Sequence, residues 1–234
     1  MEACVVIPAY QARRSLPGVL GDLRATGVTA PILVVDDGST DGTAEVATGE
    51  GVTLVRHGSN RGKGAALRTG FRAALARGFR TAVTVDADGQ HPAASALAML
   101  TARAPVGALV LGVRDLVGAG APRPNRISNR ISNAFLSCFS GRTLHDTQCG
   151  LRRYPVPETL ELGARADGYA FEAEIILRAL AAGLPVHELP IEVYYPPESE
   201  RVTHFHSVRD PARIVATVVA TVVGTRLFAR ANAR

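Results

Sequence analysis

Short runs rich in β-branched residues alternate with stretches of helical period through the first half of the chain. Most of these runs end in a cluster of polar residues. Strands are expected at Cys4–Pro8, Pro31–Val35, Val52–Arg56, Thr81–Val85 and Ala108–Val113. Helices are expected between them at Ser15–Ala25, Asp41–Thr48, Lys63–Arg77 and Ser95–Ala102. In the third helix Leu67, Phe71, Ala74 and Leu75 share one face. Such alternation predicts an α/β fold with a mostly parallel sheet covered by helices on both faces. Ligands of such sheets bind beyond the carboxyl ends of the strands. The polar clusters Ala9–Gln11, Asp36–Ser39, Asp86–Gln90 and Arg114–Asp115 fall at those ends. After residue 115 the rhythm changes. A Gly/Ala/Pro-rich loop at Gly118–Pro124 precedes a helix over Arg126–Phe139. A helix at Tyr169–Ala182, a strand at Val186–Tyr194 and a final helix from Pro211 to Phe228 complete the reading. No linker splits the chain, so one unit over 1–208 is expected, followed by an amphipathic helix within 209–234.

With 47% hydrophobic and 20% charged residues the chain has a globular composition. No stretch reaches the roughly 18–20 apolar residues of a membrane span. The start, MEACVVIP, has an acid where a signal peptide carries base, so a cytoplasmic location is expected. Cys4, Cys138 and Cys149 are scattered and form no CxxC pair, which argues against a disulfide framework or a zinc site. Charge is unevenly placed. Residues 112–153 hold seven Arg and two Asp, and residues 201–234 hold six Arg and one Asp, on an otherwise acidic body. Two basic regions predict an anionic partner, a phosphate or an acidic membrane surface. Nucleic acid is not expected, because these regions lack interleaved aromatics. A single lysine, Lys63, accompanies 25 arginines, a usage read as genomic bias.

The chemistry gathers at VDADGQHP. In an extended segment Asp86, Asp88 and Gln90 point the same way, giving two carboxylates and an amide oxygen just past a buried strand. That is hard-oxygen ligation suited to Mg²⁺ or Mn²⁺, with positions left for phosphate. His91 beside them is read as a turn residue in HP, and His57, His145 and His187 as structural or exposed. Asp36 and Asp37 follow PILVV, where one is expected to bond a base or ribose while Thr40 and Asp41 cap the next helix. In NRGKGAALRTG, Gly62 and Gly64 precede a helix, either as an anion site or as a plain turn. No GxxxxGK[ST] or GxGxxG is present, which excludes a P-loop and a dinucleotide fingerprint. PAYQARRSLP is also not the Gly-rich basic loop a nucleotidyltransferase needs after its first strand. Glu172 and Glu174 lie on one predicted helix, one expected to face the site and the other solvent. Near the end, Ile214, Val215, Val218, Val219, Val222, Val223 and Leu227 form an apolar stripe between arginines. That stripe is read either as core packing or as a surface lying in a membrane interface.

VVIPAYQ, VVDDGSTDGT, NRGKGAALRTGF, VDADGQHP, GVRD and DTQCGLRRY occur in the order seen in inverting family 2 glycosyltransferases. Within that family the chain resembles the polyprenyl-phosphate glycosyltransferases, such as dolichyl-phosphate mannose and glucose synthases. The resemblance covers residues 3–195 and implies a GT-A fold and a GDP- or UDP-hexose donor. It implies that Pro8, Tyr10, Val35 and Asp37 hold the nucleoside. Asp86, Ala87 and Asp88 would hold the diphosphate through the metal, with Gln90 as a third ligand. It further implies that Arg114 and Arg130 lie near the acceptor phosphate of a polyprenyl lipid. Gln11 and Ala12 fall where mannose synthases carry an acid. The loop YYPPESERVTHFH replaces their basic loop, with Arg201 and His204 as substitutes. A phosphate acceptor needs no strong base. A hydroxyl acceptor would need one, and Asp146 is the candidate. The expected setting is the inner face of a membrane.

Overall fold

A computed structural model describes residues 3–195 and 214–224. Seven strands form one sheet, in the order β3-β2-β1-β4-β6-β5-β7. In chain order they are β1 (Ala3–Ala9), β2 (Ile32–Asp36), β3 (Thr53–Arg56), β4 (Thr81–Thr84), β5 (Leu109–Arg114), β6 (Arg152–Pro155) and β7 (Val186–Ile191). All neighbours are parallel except β6, which runs antiparallel to both β4 and β5. The expected strands are present with ends shifted by a residue or so, and β7 stops short of Tyr194. β6 was not foreseen as a strand. It is four residues long and carries two arginines, so neither length nor hydropathy marks it.

The helices are α1 (Leu16–Ala25), α2 (Thr43–Gly49), α3 (Lys63–Leu75), α4 (Ala93–Thr101), α5 (Arg123–Ser140), α6 (Val156–Glu161) and α7 (Ala170–Ala181). Residues 214–224 are also helical and are called α8. The period-2 geometry of the strands sorts the core into two layers. Val5 and Ile7 of β1, with Val34 and Val83, pack on Leu16, Leu20 and Leu23 of α1 and Met99 of α4. Cys4 and Val6, with Leu33, Val35 and Tyr154, face Leu67 and Phe71 of α3 and Phe171 and Ile175 of α7. α8 contributes Val218 and Val222 to this second layer.

The C-terminal stripe therefore splits. Ile214, Val218 and Val222, four residues apart, turn toward the core. Val215, Val219 and Val223 stand 46–53% exposed. Thr221 is buried alongside Val218 and Val222. Leu227 and the flanking Arg209, Arg213, Arg226 and Arg230 lie outside the described residues.

The basic region at 112–153 is also less available than its charge suggests. Arg152 is fully buried and donates to the backbone carbonyls of Cys149, Glu172 and Thr147. Arg153 donates to the carbonyls of Met99 and Ala102. These arginines hold the chain together instead of meeting an anion.

Candidate active site

The carboxyl ends of β1, β2 and β4 lie side by side, because Pro8 pairs with Val35, Ala9 with Asp36, and Val6 with Thr84. Three loops therefore meet above the sheet. The loop after β1 is tied to the loop after β2. Gln11 adopts φ +50°, a left-handed conformation uncommon for a residue with a side chain. Its N–H donates to Ser39 Oγ, and its side-chain amide exchanges hydrogen bonds with Thr40. Thr40 thus bridges loops, while Asp41 accepts the N–H groups of Thr43 and Arg13.

Asp37 is buried, and its carboxylate is fully engaged. It accepts from Arg61 N–H (3.0 Å) and Gly62 N–H (2.7 Å) and lies 2.6 Å from His57 Nδ1. His57 Nε2 meets Thr69 Oγ1 at 2.9 Å, so His57 is a structural link. The start of α3 is bound up in the same way. Ala65 N–H donates to the Asp167 carbonyl. A Cβ at Gly62 or Gly64 would come within 2.4 Å of the backbone oxygen of Asp167 or Ala166. Of the two readings of NRGKG, the geometry favours close backbone packing at Gly62 (φ +92°) over an anion cradle.

The loop after β4 carries Asp86, Ala87 and Asp88. Asp86 Oδ1 is 2.7 Å from Lys63 Nζ, and Lys63 Nζ is 3.0 Å from Glu172 Oε1. Glu172 and Glu174 are both buried, which corrects the expectation that one faces solvent. Glu174 accepts the N–H groups of Arg165 and Ala166 and pairs with Arg178, so it is a structural brace, while Glu172 belongs to the site. Backbone closes the remaining side. A Cβ at Gly150 would lie 2.2 Å from Asp86 Oδ2 and 2.8 Å from Lys63 Nζ, so only glycine fits there. Burial disfavours the charge on both Asp86 and Lys63, but their attraction outweighs it: Asp86 lies below the usual carboxylate range and Lys63 well above the usual amine range. Asp88 is exposed at the rim, yet enclosure of its carboxyl in the cleft, with the charge on Asp86, pushes it up to about 6. Burial pushes His91 down to about 4, leaving it a neutral ring 4.0 Å from Asp86. Gln90 donates its N–H to Asp88, and its carbonyl accepts from Tyr194.

These residues fit a hard divalent cation. Three carboxylates and one ammonium leave a double negative charge when all are ionised, and Asp86 and Asp88 offer oxygen donors at a strand end. Among the described residues no three His, Cys, Asp or Glu side chains gather as a complete ligand set. Lys63 and Gly150 are the candidate site residues the sequence reading missed, and Glu172 is the one of the two acids that it expected to face the site without saying which. The one available signal was the lone lysine among so many arginines.

Arg114 and Asp146 form a buried bidentate pair, Nε to Oδ2 at 2.7 Å and Nη2 to Oδ1 at 3.0 Å. Asp146 also accepts from Asn129 Nδ2 and the N–H groups of Arg114 and Gln148. Despite burial, these donors, Arg114 first, hold it below the usual carboxylate range. A carboxylate so occupied is a poor general base, and Arg114 is correspondingly less free to meet a phosphate. On α5, Asn129 and Asn133 face this network, and Arg126 shares their side. Arg130 is exposed beside Ile127 and Ile131, and it forms no ion pair among the described residues. Arg201 and His204 lie outside the described residues.

Comparison with known proteins agrees with this architecture. The profile of "Glycosyl transferase family 2" matches residues 4–158. A polyprenol monophosphomannose synthase of Mycolicibacterium smegmatis is 34% identical over 200 residues, spanning 80% of this chain and 75% of that protein. An undecaprenyl-phosphate mannosyltransferase of Micrococcus luteus is 30% identical over 202 residues, spanning 82% and 83%. Among solved structures, glucosyl-3-phosphoglycerate synthase of Mycobacterium tuberculosis, in complex with Mn²⁺, UDP and glucosyl-3-phosphoglycerate, superposes with a TM-score of 0.69. The identity is 20%, covering 95% of this chain and 79% of that one.

Proposed function

The chain belongs to glycosyl transferase family 2, and from that premise we propose that it transfers a hexose from a GDP- or UDP-sugar to a polyprenyl phosphate, with inversion at the anomeric carbon. The observation that carries the reading is the Asp86/Asp88 loop, two carboxylates at the carboxyl edge of the sheet in a cluster of three acids that Lys63 offsets only in part. Relatives at 30–34% identity are named for transfer to lipid phosphates, which supports the acceptor class.

Asp86 and Asp88, with Gln90 beside them, would hold Mg²⁺ or Mn²⁺. When bound, the ion offsets the charge that builds on the leaving nucleoside diphosphate. Tyr10, half-buried just past β1, would border the nucleoside position with the backbone of Pro8, whereas the side chain of Val35 is fully buried in the core, and Asp37 would shape the wall by fixing the start of α3. The acceptor phosphate is already an anion, so nothing in the site has to remove a proton. The engagement of Asp146 by Arg114 and Asn129 fits that chemistry and speaks against the hydroxyl-acceptor alternative, which needs a free base. Arg130 and Arg126 on α5 supply positive charge for the acceptor phosphate and for anionic headgroups.

We also read the protein as peripheral on the cytoplasmic leaflet. No helix among the described residues is long and apolar enough to cross a membrane. Exposed Val215, Val219 and Val223 of α8, and Ile127 and Ile131 of α5, offer apolar contact instead.

The test incubates radiolabelled GDP-mannose and UDP-glucose with polyprenyl phosphate in detergent, with and without Mn²⁺. The expected product is an acid-labile polyprenyl phosphosugar. Asp88→Ala, at an exposed position, should abolish it without altering the thermal melt. Transfer only to hydroxyl acceptors, or full activity in excess EDTA, would overturn the reading.

A further inference from the structure

Lys63 sits where an activating cation has to act. Its ammonium touches Asp86 at 2.7 Å and Glu172 at 3.0 Å, and its side chain is only 16% exposed. Gly150 closes one side so tightly that a single added carbon would stand 2.8 Å from Nζ. The face of Tyr169 lies beyond, 5.8 Å from Nζ to the ring centre. An ammonium released by Asp86 therefore has one charged partner already within reach, Glu172. The residue type matters too. In a chain with 25 arginines this position holds the only lysine. A guanidinium fork would bind both carboxylates through fixed bonds, whereas a compact ammonium can give up one partner and keep the other.

We propose that Lys63 is the resident counterion of Asp86, that a divalent cation competes with it for that carboxylate, and that Glu172 retains the displaced ammonium inside the site. The proposal rests on the reading that Asp86 and Asp88 hold the cation, and it assigns Lys63 and Glu172 as positioning residues that set cation affinity. Without cation, Lys63 keeps the two acids from repelling each other. With cation, it remains as a positive charge on Glu172, next to the diphosphate position. Cation binding is thereby an exchange of one positive partner of Asp86 for another, and its affinity depends on how well Glu172 holds the lysine.

The sole lysine makes the test direct on the unmutated protein. Protein labelled with ¹³C and ¹⁵N in lysine has one lysine side-chain signal, and titration with Mg²⁺ should shift it saturably. In Asp88→Asn the shift should vanish together with binding. Mn²⁺ titration without nucleotide, followed by calorimetry, gives the energetics. Lys63→Met should bind Mn²⁺ about tenfold more tightly, because the competitor is gone, whereas a merely structural lysine would give weaker binding. Glu172→Gln should bind more weakly in the wild-type background. In the Lys63→Met background the same change should have little further effect, since Glu172 acts through Lys63. An unmoved lysine signal at saturating Mg²⁺, unchanged or weaker Mn²⁺ binding by folded Lys63→Met, or an equal loss from Glu172→Gln in both backgrounds would each overturn the proposal. Absence of any Asp88-dependent cation binding in the wild type would overturn the cation reading itself, and the exchange with it.

Discussion

Asp146 is almost fully buried, and its partner Arg114 has a side chain only 12% exposed. Removing one member of such a pair leaves the other charge without compensation, at a cost of about 3 kcal/mol or more. Asp146→Asn should therefore lower the unfolding free energy at pH 7 by about 3 kcal/mol, read from urea melts, with any activity loss following the loss of fold. The pH dependence has a definite sign. The folded carboxyl lies below its unfolded value, so its contribution is complete above about pH 4, the unfolded range, and is lost as pH falls through the folded value. The wild type should lose stability on going from pH 5 to pH 3, and Asp146→Asn should lose less over the same window. Urea melts at each pH check both statements. The sequence offered Asp146 as a base only for a hydroxyl acceptor. A lone acid in DTQCG looks like a base, and only the fold brings Arg114 and Asn129 onto it. Asp86 and Asp88 could be singled out because the pattern that marks them is local, although the extended run expected over Asp86–Gln90 is a turn with Gly89 at φ +75°. Lys63 was passed over, and Glu172 could not be told from Glu174, because each is defined by a partner remote in the chain.

The helices and the strand-end loops carry the next set of expectations. Gly150→Ala would push a methyl group into Asp86 and Lys63. Its expected effect is loss of Mn²⁺ binding by at least about tenfold with a modest change in melting temperature, measured by calorimetry on both properties. On α8 the two halves of the apolar stripe should respond differently. Val218→Ala removes packing from the core and should cost about 1–2 kcal/mol, while Val215→Ala on the exposed side should be close to neutral. Thermal melts of the two variants would contradict the division if their order were reversed. Hydrophobic period alone could not make this division, because an apolar stripe looks the same whichever of its edges is covered. β1 and β2 were legible for the opposite reason: both faces are buried, so the run is nearly all apolar, whereas β3 at the sheet edge is only partly covered. In α7, by contrast, charge misled, since two acids on one helix were expected to divide between site and solvent and both are buried.

Over the whole molecule, the positive charge that remains exposed on α5 shares a surface with isoleucines, and α8 adds exposed valines. Attachment to a membrane through such surfaces combines apolar insertion with screened attraction. Flotation with anionic liposomes should succeed at low salt and fail in high salt. The combined Val215→Ser, Val219→Ser and Val223→Ser protein should float less well while melting near the wild-type temperature. The overall α/β plan was readable from the alternation of elements, and the one reversed strand was not, because Arg152 and Arg153 obscure it. That strand also sets an order of events during synthesis. β1 to β4 complete one another as they emerge, and the half-sheet β3-β2-β1-β4 lacks only a neighbour on the outer edge of β4. β5 has no such company, since both of its neighbours, β6 and β7, are made after it. A nascent chain paused before Arg152 thus displays an unpaired edge on β4 and an orphan β5, the kind of surface that recruits chaperones or other strands. Gly150 arrives at Asp86 only as β6 closes that gap, so the Asp86 loop gains its last wall in the same step that covers the open edge of β4.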